Sequence, residues 1–264
     1  MARRSIDVLR HHGWQLGDPE FDTVFILVHC ERAAAGEYRF VVDNDTPVVR
    51  LNGRVPGDEP TVKSIATSRQ YSLLSANAVV SIRRYGYPVI LRDPHAPVYP
   101  LHYTCPAGRC ETAPRATALA ELNQELQVHL KSLWENEAQL GFGNPSIARE
   151  GSTYKQLRLK RQSLHILTQA VDWTTGPDRY ELVYRSCFGD QVIERGSATI
   201  VFDADTNCYE VCFIGKVDLP NNWVVTKLED GDGWGRPVEF VKHLEDLKGR
   251  QLVPALQGLV DSLS

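Results

Sequence analysis

The residues best suited to chemistry are a histidine and two cysteines in a proline-rich segment. His102, Cys105 and Cys110 follow one another with two and four residues between them. Imidazole nitrogens and thiolates are the ligands that structural zinc prefers, so these three side chains are candidate metal ligands. Their spacing departs from the cysteine pairs of zinc knuckles, and the alternative is that both thiols are buried or incidental.

A second pair of cysteines lies on one predicted strand. Cys208 and Cys212 are four residues apart, which corresponds to about 13 Å along an extended strand. At that separation the two thiols bind one ion only if a bulge or turn shortens the strand. The sequence therefore adds neither of them to the metal-ligand set.

Two histidines stand near residues that would complete a nucleophile and a base. His29 precedes Cys30, but neighbours on a regular strand point to opposite faces, so His29 does not readily activate Cys30. Asp93 lies two residues before His95 in a loop, where catalytic residues often collect. The enzyme alternative uses the proline-rich loop 93–114, in which His95, His102, Cys105 and Cys110 are available as metal ligands or as nucleophile and base.

Acidic residues occur in three close pairs that invite a divalent-metal interpretation. The pairs are Asp43 and Asp45, Asp203 and Asp205, and Asp230 and Asp232. The segment from Asp203 begins like a calcium loop, but Cys208 and Ile214 occupy the positions that need glycine and glutamate. All three pairs separate apolar runs, so we interpret them as turn formers.

A basic stretch gives the sequence its one candidate nucleic-acid surface. Its members are Arg149, Lys155, Arg158, Lys160 and Arg161. On a strand, Arg158 and Lys160 would share one face and could neutralise phosphates. The alternative is a solvated strand face paired with the chain's own carboxylates. The pairs Arg3-Arg4 and Arg83-Arg84 would extend such a patch only if the fold brought them close.

Sequence motifs of the commonest nucleotide-dependent and hydrolytic enzymes are absent. The chain contains no GxxxxGK[ST], GxGxxG, HExxH or GxSxG pattern. A further alternative is a small-molecule binder that uses Trp173, Tyr184 or Phe213 as stacking surfaces, although strand aromatics are usually core residues. No cofactor is predicted.

Composition indicates an ordinary globular protein. The 264 residues are 42% hydrophobic and 23% charged, which is enough to build a sizeable core. A net charge of -4 provides no global attraction to nucleic acid or anionic lipid. We find no signal peptide and no apolar run long enough to cross a bilayer, and we expect a soluble cytoplasmic protein with six reduced cysteines.

The pattern of apolar residues predicts an α+β fold in three segments. Residues 1–115 form a β-rich half behind a short helix at 5–12, including a hairpin formed by 38–42 and 48–51. Residues 116–145 hold an amphipathic helix, whose leucine stripe runs to Leu140. Residues 146–264 form an antiparallel meander with C-terminal helices, and the halves may share one domain.

These observations predict a predominantly antiparallel β meander with amphipathic helices packed on one side. The missing catalytic motifs, the basic stretch and the central helix favour a non-catalytic binding or accessory subunit. Its expected partner is a protein or a nucleic acid, and no membrane association is expected. The enzyme and the small-molecule binder remain the alternatives.

Overall fold

The computed structural model describes about three fifths of the chain. The described residues are 22–25, 27–43, 49–52, 71–92, 94, 96, 98–110, 113–130, 171–219, 221, 223–227 and 239–263. Several sequence-based expectations lie outside them: the helix at 5–12, the basic stretch at 149–161, most of the strand at 154–173, and both Asp93 and His95.

Strands dominate the described residues. In chain order they are β1 Asp22–Phe25, β2 Leu27–Ala34, β3 Glu37–Asp43, β4 Val49–Asn52, β5 Ser72–Ile82, β6 Tyr87–Leu91, β7 Tyr103–Thr104, β8 Ala107–Arg109, β9 Leu126–Leu130, β10 Val171–Trp173, β11 Asp178–Ser186, β12 Gly189–Asp203, β13 Cys208–Val217, β14 Trp223–Lys227 and β15 Glu239–Val241. The described helices are α1 Pro114–Glu125, α2 Pro254–Ser262 and a 3-10 turn at Leu244–Leu247.

Six of these strands close into a ring. The largest sheet runs β10-β13-β12-β11-β3-β2-β5-β8, and β13 also pairs with β5. Because β2 pairs with β5 as well, the order β5-β2-β3-β11-β12-β13 returns to β5 and forms a small barrel. In this ring the three strands of the first half, β5, β2 and β3, are neighbours. They join the three strands of the second half through the parallel pairs of β3 with β11 and of β5 with β13.

One face of the barrel strands carries the first hydrophobic core. Alternate residues of β5, such as Ala76 and Ala78, pack there with Phe40 and Phe213. Helix α1 contributes Leu122 to the same core. Its start follows from Pro114, whose fixed φ suits the first helical position.

The opposite face of β5 and β13 is covered by a second core. Val79 and Cys212 lie there with Leu256 of α2 and Leu247 of the 3-10 turn. The two helices therefore pack on opposite faces of β5, whereas the sequence placed its helices on one side. Among the described residues, no helix has the length and apolarity needed to cross a membrane.

The coarse prediction of an α+β protein with mostly antiparallel strands is confirmed, and the meander of β11, β12 and β13 is antiparallel throughout. The hairpin is wrong: β3 pairs with β2 and β11, while β4 pairs with β1. The central helix ends at Glu125, because Leu126 adopts extended φ and ψ angles and begins β9, the partner of β14.

Candidate functional site

A polar cluster lies between β5 and β13, on the face that α2 covers. Asn77 of β5 is 1% exposed, and its Nδ2 donates to Oε2 of Glu210 at 2.6 Å. The Sγ of Cys105 lies 3.8 Å from Oδ1 of Asn77. Burial is the main cause that raises the pKa of Glu210, and the nearby Arg109 guanidinium and the Asn77 hydrogen bond oppose it.

Arg109 of β8 joins a thiol to this cluster. Its Nη1 donates to Sγ of Cys208 at 2.8 Å and to Oγ of Ser75 at 3.2 Å. Parallel pairing of β5 with β13 sets Glu210 beside Ser75 and Cys212 beside Asn77. Because alternate residues of a strand share a face, Glu210 and Cys212 lie on the same face of β13.

The cysteines of this region are poorly suited to nucleophilic chemistry. Burial raises the pKa of Cys208 to about 12 in spite of the adjacent Arg109 guanidinium. Burial also raises the pKa of Cys105, Cys110 and Cys212. Reactive cysteines need the opposite shift, because the thiolate is both the nucleophile and the metal ligand. All six cysteines of the chain are described and free.

The candidate metal ligands do not converge. Cys105 belongs to the second core and Cys110 to the first. The Nδ1 atom of His102 lies 2.8 Å from the carbonyl oxygen of Pro100. Within the described residues, no group of three or more His, Cys, Asp and Glu side chains is arranged to hold a metal ion.

The acidic pair after β12 forms a turn. Oδ1 of Asp203 accepts the backbone N–H of Asp205 at 3.0 Å, and its carboxylate also accepts the Thr206 hydroxyl. The Tyr99 hydroxyl donates to Asp203 at 2.7 Å and thereby ties the 98–101 loop to this turn. The interpretation of this aspartate pair as a turn former is confirmed.

The aromatic residues singled out in the sequence occupy different depths. Tyr184 is fully buried in the first core. Phe213 packs edge-on against Trp173, with ring centroids 5.7 Å apart. The Arg115 guanidinium lies 5.6 Å from the Phe213 ring centroid. Trp173 is half-buried, whereas Phe213 is buried in the first core.

Glu194 connects the same region to helix α1. Its Oε1 accepts the backbone N–H of Arg115 at 3.2 Å, close to the helix N-terminus, where negative charge is favoured. The Tyr180 hydroxyl donates to the same oxygen. Burial raises the pKa of Glu194, and its hydrogen bonds to Tyr180 and Arg115 oppose the shift. These contacts hold α1 against the barrel.

Cross-strand ion pairs cover the outer face of β2, β3, β11 and β12. We call this set the ion-pair ladder; its members are Glu31, Arg39, Glu181, Arg185, Asp190 and Arg195. Arg185 binds both carboxylate oxygens of Glu31, at 2.8 and 3.1 Å. Such a bidentate pair is stronger and more specific in its geometry than an ordinary surface ion pair.

The ladder ends at the β11–β12 turn, which displays an aromatic residue. Phe188 is 96% exposed. Its backbone N–H donates to Oγ of Ser186 at 3.2 Å, and that hydroxyl donates to the Gly189 carbonyl at 3.0 Å. Gly189 has a φ of 115°, a conformation that favours glycine. The turn is therefore well defined although its aromatic side chain makes almost no contact.

Among the remaining sequence-predicted groups, the described ones are Arg83, Arg84, His29 and Cys30. Arg83 pairs with Asp218 at 2.8 Å, and Arg84 donates to the Leu219 carbonyl at 3.2 Å. His29 is exposed, whereas Cys30 packs against the first core, so the expectation that they face apart is confirmed.

Asn77, Arg109 and Phe188 carry the main features of these sites, and sequence reasoning missed all three. The one sequence signal of Asn77 is that it is the only amide in β5, whose other residues are apolar or serine. Phe188 resembled any other strand aromatic. No protein-family model matches this chain, and no curated protein matches it. Function has to be inferred from geometry.

Proposed function

We propose that this chain is a non-catalytic binding or accessory protein that recognises a protein partner through the β11–β12 turn. The observation that carries the proposal is the 96% exposure of Phe188 on a hydrogen-bonded turn. Exposed aromatic residues on rigid supports are typical anchors of protein interfaces, because they bury a large area and lose little entropy. A cytoplasmic location is part of the proposal.

The charges around the turn favour a protein over a nucleic acid. The ion-pair ladder holds three arginines and three carboxylates, so its formal charges cancel. Phosphate recognition needs an excess of positive charge. The basic stretch that suggested nucleic acid lies outside the described residues. A nucleic-acid partner is therefore one of the outcomes that the test below distinguishes.

The test compares capture of host proteins by three tagged forms of the full chain, with and without nuclease. The variants are Phe188→Ser and a matched control, Leu263→Ser, which changes an apolar residue that is 47% exposed at the end of α2. We expect the wild type and the control to retain a defined protein that Phe188→Ser loses. With that protein purified, loss of an aromatic anchor should weaken binding about 30-fold.

Two outcomes contradict the proposal. Identical captured proteins for the wild type and Phe188→Ser would show that the turn is not the binding surface. Loss of every captured component after nuclease treatment would favour nucleic acid as the partner.

A further inference from the structure

Strand β12 pairs with one strand along its first part and with another along its last part. Residues 189–198 pair with β11, and residues 199–203 pair with β13. Near the middle, the loop before β11 approaches, with the Gly176 N–H donating to Oγ of Ser197 at 3.3 Å. In the described part of the chain, no strand pairs with the other edge of residues 189–195.

The first four residues of this edge are open to solvent. Residues 189–192 are exposed on both faces of the strand, and Val192 is 38% exposed. The backbone of an unpaired edge strand can accept another strand, and an apolar side chain on it favours that addition.

A bulge fixes which side chains of the edge share a face. β11 pairs Leu182 with Glu194 and Val183 with Val192, so Ile193 is the extra residue. Asp190, Val192 and Arg195 consequently lie on the outer face with the ion-pair ladder. Asp190 accepts from Arg39 at 2.6 Å, and Arg195 forms an ion pair with Glu181, with Nε and Oε1 2.6 Å apart.

The order of side chains along this edge complements itself. When two copies of β12 run antiparallel with Val192 opposite Val192, Asp190 of each copy faces Arg195 of the other. Gln191 then faces Glu194, and all of these pairs match in face because both strands carry the bulge at Ile193. Opposite charges and apolar pairs across strands stabilise antiparallel pairing.

We propose that two copies of this chain pair through the 190–195 edge of β12, centred on Val192, and join their sheets. The pairing extends the ion-pair ladder from one copy into the other. It leaves Phe188 outside the paired segment and does not depend on the proposed partner recognition.

The test measures self-association by sedimentation velocity across a concentration series, using a charge exchange. Asp190→Arg and Arg195→Asp each place like charges opposite one another twice in the dimer, so each should weaken dimerisation about tenfold or more. The double variant restores opposite charges and should regain most of the lost affinity. The matched control Arg83→Asp alters another exposed arginine and should leave dimerisation unchanged.

A wild-type chain that stays monomeric throughout the series overturns the inference. A dimer that responds equally to Arg83→Asp and Arg195→Asp, or a double variant that regains nothing, also overturns it. Circular dichroism of each variant establishes that it is folded. A monomeric chain that still captures a Phe188-dependent protein would refute this pairing and leave the proposed function standing.

Discussion

Replacing Asn77 with aspartate should make the stability of this protein strongly pH-dependent. The change keeps the size of the side chain but converts the donor that faces Glu210 into an acceptor. Because Asn77 is 1% exposed, water cannot replace the lost hydrogen bond at this position. Loss of a buried hydrogen bond to a charged group costs about 1.5–3 kcal/mol.

Coulomb repulsion adds to that loss when both carboxyl groups are ionised. At about 3 Å and an effective dielectric constant near 20, two negative charges repel by about 5–6 kcal/mol. The pair avoids most of this repulsion by retaining one proton, and the resulting O–H donates to the other carboxylate. Binding this proton costs little free energy at low pH but more near neutral pH. We therefore expect the free energy of unfolding to fall by about 3 kcal/mol near neutral pH and by less than about 1 kcal/mol near pH 4.

The assay is urea unfolding at both pH values, with two further variants as controls. Glu210→Gln keeps an acceptor for Asn77 and should not destabilise the protein near neutral pH, because it removes a carboxylate whose burial raises its pKa. In the double variant Asn77→Asp and Glu210→Gln, the new amide donates to the new carboxylate and should recover about 2 kcal/mol. A loss that is the same at both pH values, or a double variant no more stable than Asn77→Asp, would refute the reasoning.

Two further variants test other contacts. Glu194→Gln should reduce the loss of stability between about pH 4 and neutral pH. Burial raises the pKa of Glu194, so its stabilising contribution is complete below the unfolded-state pKa and is lost as the pH rises through the folded-state pKa. Equal pH slopes of the free energy of unfolding for variant and wild type, measured by urea unfolding, would contradict this. Gly86→Ala should destabilise the fold by about 2 kcal/mol or more. The φ angle of Gly86 is 101°, and the new Cβ would lie 2.2 Å from the Val241 carbonyl oxygen. An unchanged melting temperature would contradict this prediction.

The helix boundary shows how tertiary pairing overrides a local pattern. The leucines that continue the helical stripe past Glu125 also fit a strand, because apolar Leu126, Val128 and Leu130 alternate in the sequence with polar Gln127 and His129. Pairing of β9 with β14 decides between the two periodicities, and a single-sequence pattern carries no record of that partner.

The candidate sites were predictable to different degrees. The alternation of Tyr209, Glu210, Val211 and Cys212 in the sequence is sufficient to separate the two faces of β13, since the strand period of two is a local property. The environment of Glu210 was not predictable, because Asn77 reaches it through parallel pairing with a strand far away in the chain. The exposure of Phe188 depends likewise on which turns project from the barrel.

The residue pattern determined the antiparallel run of β11, β12 and β13, because short turns between adjacent strands leave antiparallel pairing as the direct connection. Tertiary structure alone decided the closure of the barrel, which depends on contacts between β5 and β13 and between β3 and β11. Those contacts join residues more than a hundred positions apart, and the contact between β5 and β13 is buried on both faces.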